Sequence, residues 1–117
     1  MDRSSFPRLP AAVGLARDWV RRAFTQAGGT EEQVYTCALL VSELATNAVQ
    51  HATGECFEIT VWPSGAVDVR DASFSKPEPR FSGEGDENGR GLQLVAGLSR
   101  HVELIPVSDG KIIRFWP

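Results

Sequence analysis

Cysteine is scarce in this chain, blocks of basic residues are missing and no apolar run is long enough for a membrane span. Each gap excludes a class of function. Two cysteines occur, Cys37 and Cys56, with neither a CxxC spacing nor a metal-type cluster around them. Both are expected to be reduced thiols used in packing, which leaves out a disulfide framework and a zinc site. Net charge is −3 with 23% charged residues, so no cationic track offers itself to nucleic acid or to an anionic membrane surface. The first residues lead into a segment interrupted by Arg17, Asp18, Arg21 and Arg22. Signal-peptide or membrane-spanning character is lacking there, which predicts a soluble cytoplasmic protein.

What is present suits one core. At 117 residues and 42% hydrophobic content, a single domain over residues 1–117 is expected, with residues 1–8 as a flexible lead. Over residues 9–27, Ala12, Val13, Ala16, Trp19, Val20, Ala23, Phe24 and Ala27 recur at steps of three and four. This predicts an amphipathic helix begun near Pro10 and stopped by Gly28-Gly29. Its opposite face, with Arg17, Asp18, Arg21 and Arg22, is expected to be solvated.

Thr30 followed by Glu31, Glu32 and Gln33 looks like an N-cap with a capping box and acidic first turn. A second helix should run from there to Gly54. Val34, Ala38, Val41, Leu44, Ala45, Ala48, Val49 and Ala52 share one arc of it, while Thr36, Glu43, Asn47 and Gln50 lie opposite.

The period then changes to two. Phe57, Ile59 and Val61, then Val67 and Val69 after Pro63-Ser64-Gly65, predict a hairpin. Residues 101–107 and 111–116, around Ser108-Asp109-Gly110, predict a second one. Between the hairpins, residues 72–88 form a long aperiodic loop, of the kind that serves as a lid. Gly89-Arg90-Gly91 then opens a short apolar run with Leu92, Val95 and Ala96 in helical register. This order does not alternate as a doubly wound fold would. An α+β two-layer sandwich is expected, its mixed, mostly antiparallel sheet covered on one face by about three helices.

Glu43 and Asn47, one helical turn apart, suit a single ligand site. A carboxamide oxygen is a hard neutral ligand for Mg²⁺, and the nearby carboxylate could act as base; the alternative is the wet face of an amphipathic helix. Asp71 at a strand end could accept from an exocyclic amine or cap the following turn. Gly89-Arg90-Gly91 at a helix N-terminus offers backbone N–H groups to phosphate, without matching a dinucleotide fingerprint or a Walker loop.

Together these pieces resemble a known family. Val41-Ser42-Glu43-Leu44-Ala45-Thr46-Asn47-Ala48-Val49-Gln50-His51-Ala52 is similar to the N box of the Bergerat-fold ATPases. Val69-Arg70-Asp71-Ala72-Ser73 is similar to their first glycine box, and Gly89-Arg90-Gly91-Leu92-Gln93-Leu94-Val95 to the second. The nearest resemblance is to the small single-domain anti-sigma-factor serine/threonine kinases and related regulatory ATP-binding proteins. It implies that ATP and Mg²⁺ are cofactors, with Glu43 as general base, Asn47 as the Mg²⁺ ligand and Asp71 as the adenine anchor. Residues 89–92 (Gly89, Arg90, Gly91, Leu92) would seat the phosphates under a lid of residues 73–88. His51 would either approach the phosphates or sit as a helix-end histidine favoured by the dipole; Arg90 would reach phosphate or a lid carboxylate.

Two positions depart from the family pattern. Ser73 stands where a glycine of the first box is usual, and Gly110-Lys111-Ile112-Ile113 supplies no threonine near the start of the last strand. The function implied is Mg-ATP-dependent phosphorylation of an anti-sigma antagonist by a protein that otherwise holds a sigma factor. The alternative is a non-catalytic module that binds its partner with or without sensing nucleotide. The expected partners are a sigma factor or its antagonist, not nucleic acid or membrane, and the sequence leaves a homodimer open.

Overall fold

The computed structural model of the chain describes residues 1–72 and 97–117. Its elements run β1 (Asp2–Pro7), α1 (Ala12–Gln26), α2 (Glu31–His51), β2 (Cys56–Val61), β3 (Val67–Asp71), β4 (His101–Val107) and β5 (Gly110–Trp116). The five strands form one sheet in the order β1-β2-β3-β5-β4. Every neighbouring pair is antiparallel, so the described sheet is wholly antiparallel where a mixed one was expected.

Both helices follow from their ends. Thr30 accepts from the Gln33 backbone N–H at 3.1 Å and Gln33 Oε1 accepts from the Thr30 N–H at 2.9 Å, closing the expected capping box. The first helix has no side-chain N-cap. It stops at a Schellman turn, in which Gly29 N–H reaches Phe24 O at 3.0 Å and Gly28 N–H reaches Thr25 O at 3.1 Å. Gly28 has a φ of 95°, the left-handed conformation that this motif asks of its glycine.

The helices cover one face of the sheet. Phe57, Ile59, Val61, Val67, Val69, Ile113 and Phe115 are buried there against Ala16, Val20, Leu40, Val41, Leu44, Ala45 and Ala48. Cys37 is fully buried among them, as expected, whereas Cys56 is exposed. It stands next to Phe57 in a strand of period two, so it points away from the core.

The lead expected to be flexible is instead edge strand β1. Only Phe6 in it is buried; it stacks on Phe57 at 5.6 Å and meets Trp19 edge-on at 6.0 Å. One apolar residue among exposed polar ones carries little periodic signal, and the strand depends on pairing with β2. Of the expected third helix only Gly97 and Leu98 are described, and both are helical; the rest lies outside the described residues. None of the described helices is long and apolar enough to cross a membrane.

Candidate functional site

Glu43 and Asn47 lie on α2, on the side turned away from the buried stripe of Ala38, Val41, Ala45 and Ala48. Both are half-buried. Among the described residues, neither side chain has a hydrogen-bond or ion-pair partner. A half-covered carboxylate and carboxamide one turn apart, uncommitted among the described residues, are available to a ligand. His51 closes the helix in its last turn and is exposed.

The C-terminal end of α2 is tied to the end of β3. Thr53 Oγ1 donates to Ala72 O at 2.8 Å. Arg8 donates to Val49 O at 2.8 Å and to Gly54 O at 2.9 Å, satisfying a carbonyl that the helix end leaves over. Asp71, the last residue of β3, is only 9% exposed. It belongs to the helix-covered face because it follows buried Val69 by two. The helix bearing Glu43 and Asn47 and the strand bearing Asp71 therefore converge at one edge of the core.

Asp71 has a neighbour that sequence reasoning missed. Lys111 is its direct partner across the β3–β5 ladder, with Nζ 3.8 Å from Asp71 Oδ2. In sequence this position showed only as the lack of a threonine. Ile112 pairs with Arg70 instead, so it lies on the opposite face, and the residue that confronts Asp71 is Lys111. Arg8 and Thr53 were missed as well, because their bonds span 41 and 19 residues.

Ser73, Gly89, Arg90, Gly91 and Leu92 lie outside the described residues, as does the expected lid. A hollow of about 330 Å³ is lined by Ser5, Cys56, Glu58 and Arg70 and reaches Asp71 and Ala72 at the end of β3. The first four side chains share the other face of the sheet, Ser5, Glu58 and Arg70 in one register row and Cys56 in the next.

The donor set suits a magnesium nucleotide better than a resident metal. No cluster of three or more His, Cys, Asp or Glu side chains able to hold a metal occurs among the described residues. A single carboxamide such as that of Asn47 fits a cation that keeps water and substrate phosphate as its other ligands. A buried strand-end carboxylate such as Asp71 fits an exocyclic amine.

A family model described as "Histidine kinase-like ATPase domain" matches residues 6–116. Among solved structures, the RsbU and RsbW domains of Rv1364c from Mycobacterium tuberculosis are similar over 98% of this chain and 32% of that one. The TM-score is 0.66 and the identity 14%, a likeness of fold. The histidine kinase domain of the Erythrobacter litoralis EL346 blue-light activated histidine kinase is 25% identical over 88% of this chain and 59% of that one, with a TM-score of 0.49. The chain thus spans about a third of the first neighbour and less than two thirds of the second. No curated protein matches it.

Proposed function

The chain belongs to the family of histidine kinase-like ATPase domains, and from that premise we propose that it is an ATP-binding regulatory protein that phosphorylates a serine or threonine on a partner protein. The observation that carries this reading is the Glu43–Asn47 pair, without a partner among the described residues, on a helix whose far end is tied to the strand end bearing Asp71.

Each residue has a distinct task. Asp71 accepts hydrogen bonds from the exocyclic amine of the base, which orients the nucleotide from a largely desolvated position. Asn47 would hold Mg²⁺ through its carboxamide oxygen. Glu43 accepts the proton of the attacking hydroxyl, a role worth about 10²–10⁴ in rate. Mg-ATP, when bound, supplies the phosphoryl group and the neutralising charge, and the protein's share is positioning and electrostatics. Ser73, His51 and residues 89–92 would complete the nucleotide site on the phosphate side. The resemblance to anti-sigma-factor kinases makes an anti-sigma antagonist the phosphoacceptor and a sigma factor the second partner.

The test is transfer of labelled γ-phosphate to a cognate antagonist. Glu43→Ala is expected to lower transfer by about 10²-fold or more while Mg-ATP still binds by calorimetry; undiminished transfer would sink the assignment of the base. A second reading is a partner-binding module without catalysis. It is favoured by the Lys111 ammonium beside Asp71, which compensates that carboxylate without a nucleotide.

A further inference from the structure

The register at the end of the β3–β5 ladder is held by a close approach. A Cβ on Gly110 would fall 1.9 Å from Asp71 O and 2.8 Å from Ala72 Cα, so the strands can meet in this way only with glycine there. The next pair is then Asp71 opposite Lys111, followed two residues on by Val69 opposite Ile113. Val69 and Ile113 are buried under the helices, and by the two-residue period Asp71 and Lys111 face the same way. Their side chains are 8% and 14% exposed. A slip of one residue would send Lys111 to the other face.

We propose that Lys111 is a specificity-determining residue of the nucleotide site, which with Asp71 reads the six-position edge of a purine and admits 6-oxopurine nucleotides such as GTP as well as ATP. This rests on the assignment of Asp71 as the residue that meets the base. A carboxylate only accepts hydrogen bonds and an ammonium only donates them. Adenine presents an amino donor at N6 beside an acceptor at N1; guanine presents an acceptor at O6 beside an N1–H donor. A lone carboxylate satisfies adenine but sets acceptor against acceptor at guanine O6, the kind of unpaired buried polar contact from which strong discrimination comes.

An adjacent carboxylate and ammonium remove that mismatch. With adenine, Asp71 accepts from N6 and Lys111 donates to N1. With guanine, Lys111 donates to O6 and Asp71 accepts from N1–H. At 3.8 Å the two groups form an ion pair beyond hydrogen-bonding range, which sets a donor and an acceptor side by side.

The experiment is calorimetric titration of the full chain with Mg-ATP and with Mg-GTP, for the wild type, Lys111→Met and Lys111→Gln. The readout is the ratio of the two dissociation constants on one sample, which does not depend on the fraction folded. The wild-type ratio is expected to lie within about tenfold of unity. It should move at least about tenfold towards ATP in Lys111→Met, and less in Lys111→Gln, which keeps a donor. Wild-type binding of ATP with GTP weaker by more than about 100-fold overturns the inference, and so does an unchanged ratio in Lys111→Met. Binding of neither nucleotide by the folded wild type overturns the nucleotide site itself, and this inference with it.

Discussion

Asp68 and Asp71 lie three residues apart on one strand and are almost equally buried, at 5% and 9% exposure, yet they belong to different faces of the sheet and meet different partners. Asp68 lies on the open face, in a register row that runs Arg3, Thr60, Asp68, Arg114, Glu103 across all five strands. Arg114 grips it with two nitrogens, at 2.7 and 2.9 Å, and Trp62 Nε1 donates at 2.9 Å. The Arg114 guanidinium also stands 5.7 Å over the Trp62 ring, a cation–π contact. Its pKa is raised, first by the hydrogen bond to Asp68 and despite some desolvation. On the covered face, Asp71 meets an ammonium at 3.8 Å at the end of the core. Burial therefore does not separate a structural carboxylate from one proposed to meet a ligand. The geometry of pairing differs between them: a bidentate clamp holds Asp68, whereas the Asp71–Lys111 ion pair is longer.

The two cysteines give the largest contrast between the faces. Cys56 is exposed and Cys37 fully buried, so a thiol reagent should modify Cys56 quickly. Cys37 should react only as fast as the core opens, more slowly by a factor on the order of 10³ or greater; mass spectrometry after timed quenching measures this. Burial also pushes the Cys37 thiol up to about 12. The folded chain then holds that proton more tightly than the unfolded one. This contribution is complete below about 9, the ordinary thiol value, and drains away as pH rises towards about 12. Urea midpoints should fall over that window, and Cys37→Ala should remove the slope.

Exchanging the two aspartates comes next in size. Asp68→Ala should cost about 2–3 kcal/mol of stability by urea unfolding, because it strands Arg114 and the Trp62 N–H, with nucleotide affinity little changed. Asp71→Asn should instead weaken Mg-ATP about 10–100-fold by calorimetry, with some loss of stability as well, because the nearly buried Lys111 ammonium loses its counter-charge. If both variants changed nucleotide affinity alike, the distinction between the faces would collapse. The smallest effect is expected from Thr30→Ala. Loss of that cap should cost about 1 kcal/mol, read as a shift of the thermal midpoint, and leave the Asp68 cluster untouched.

Much of the covered face was legible beforehand. Both helices and both hairpins stand where periodicity and turn residues put them, since an amphipathic stripe of Ala38, Val41, Ala45 and Ala48 or an alternation such as Phe57, Ile59, Val61 is written locally. Glu43, Asn47 and Asp71 were legible as candidates for the same reason. Strand β1 was not, because Phe6 alone signals it and its hydrogen bonds go to a strand some fifty residues away. Nor was the exposure of Cys56, which depends on which face of β2 the helices cover.

The sequence by itself determined the helices, their caps, the hairpins and the family to which the chain belongs, because these rest on residue types at short, fixed spacings. Only the tertiary structure decided which residue confronts which across the sheet. Pairing register is a long-range choice, imposed here by the buried pairs Val67–Phe115 and Val69–Ile113 and by the glycine that lets β5 press against Asp71. That register turns Asp68 towards Arg114 and Asp71 towards Lys111.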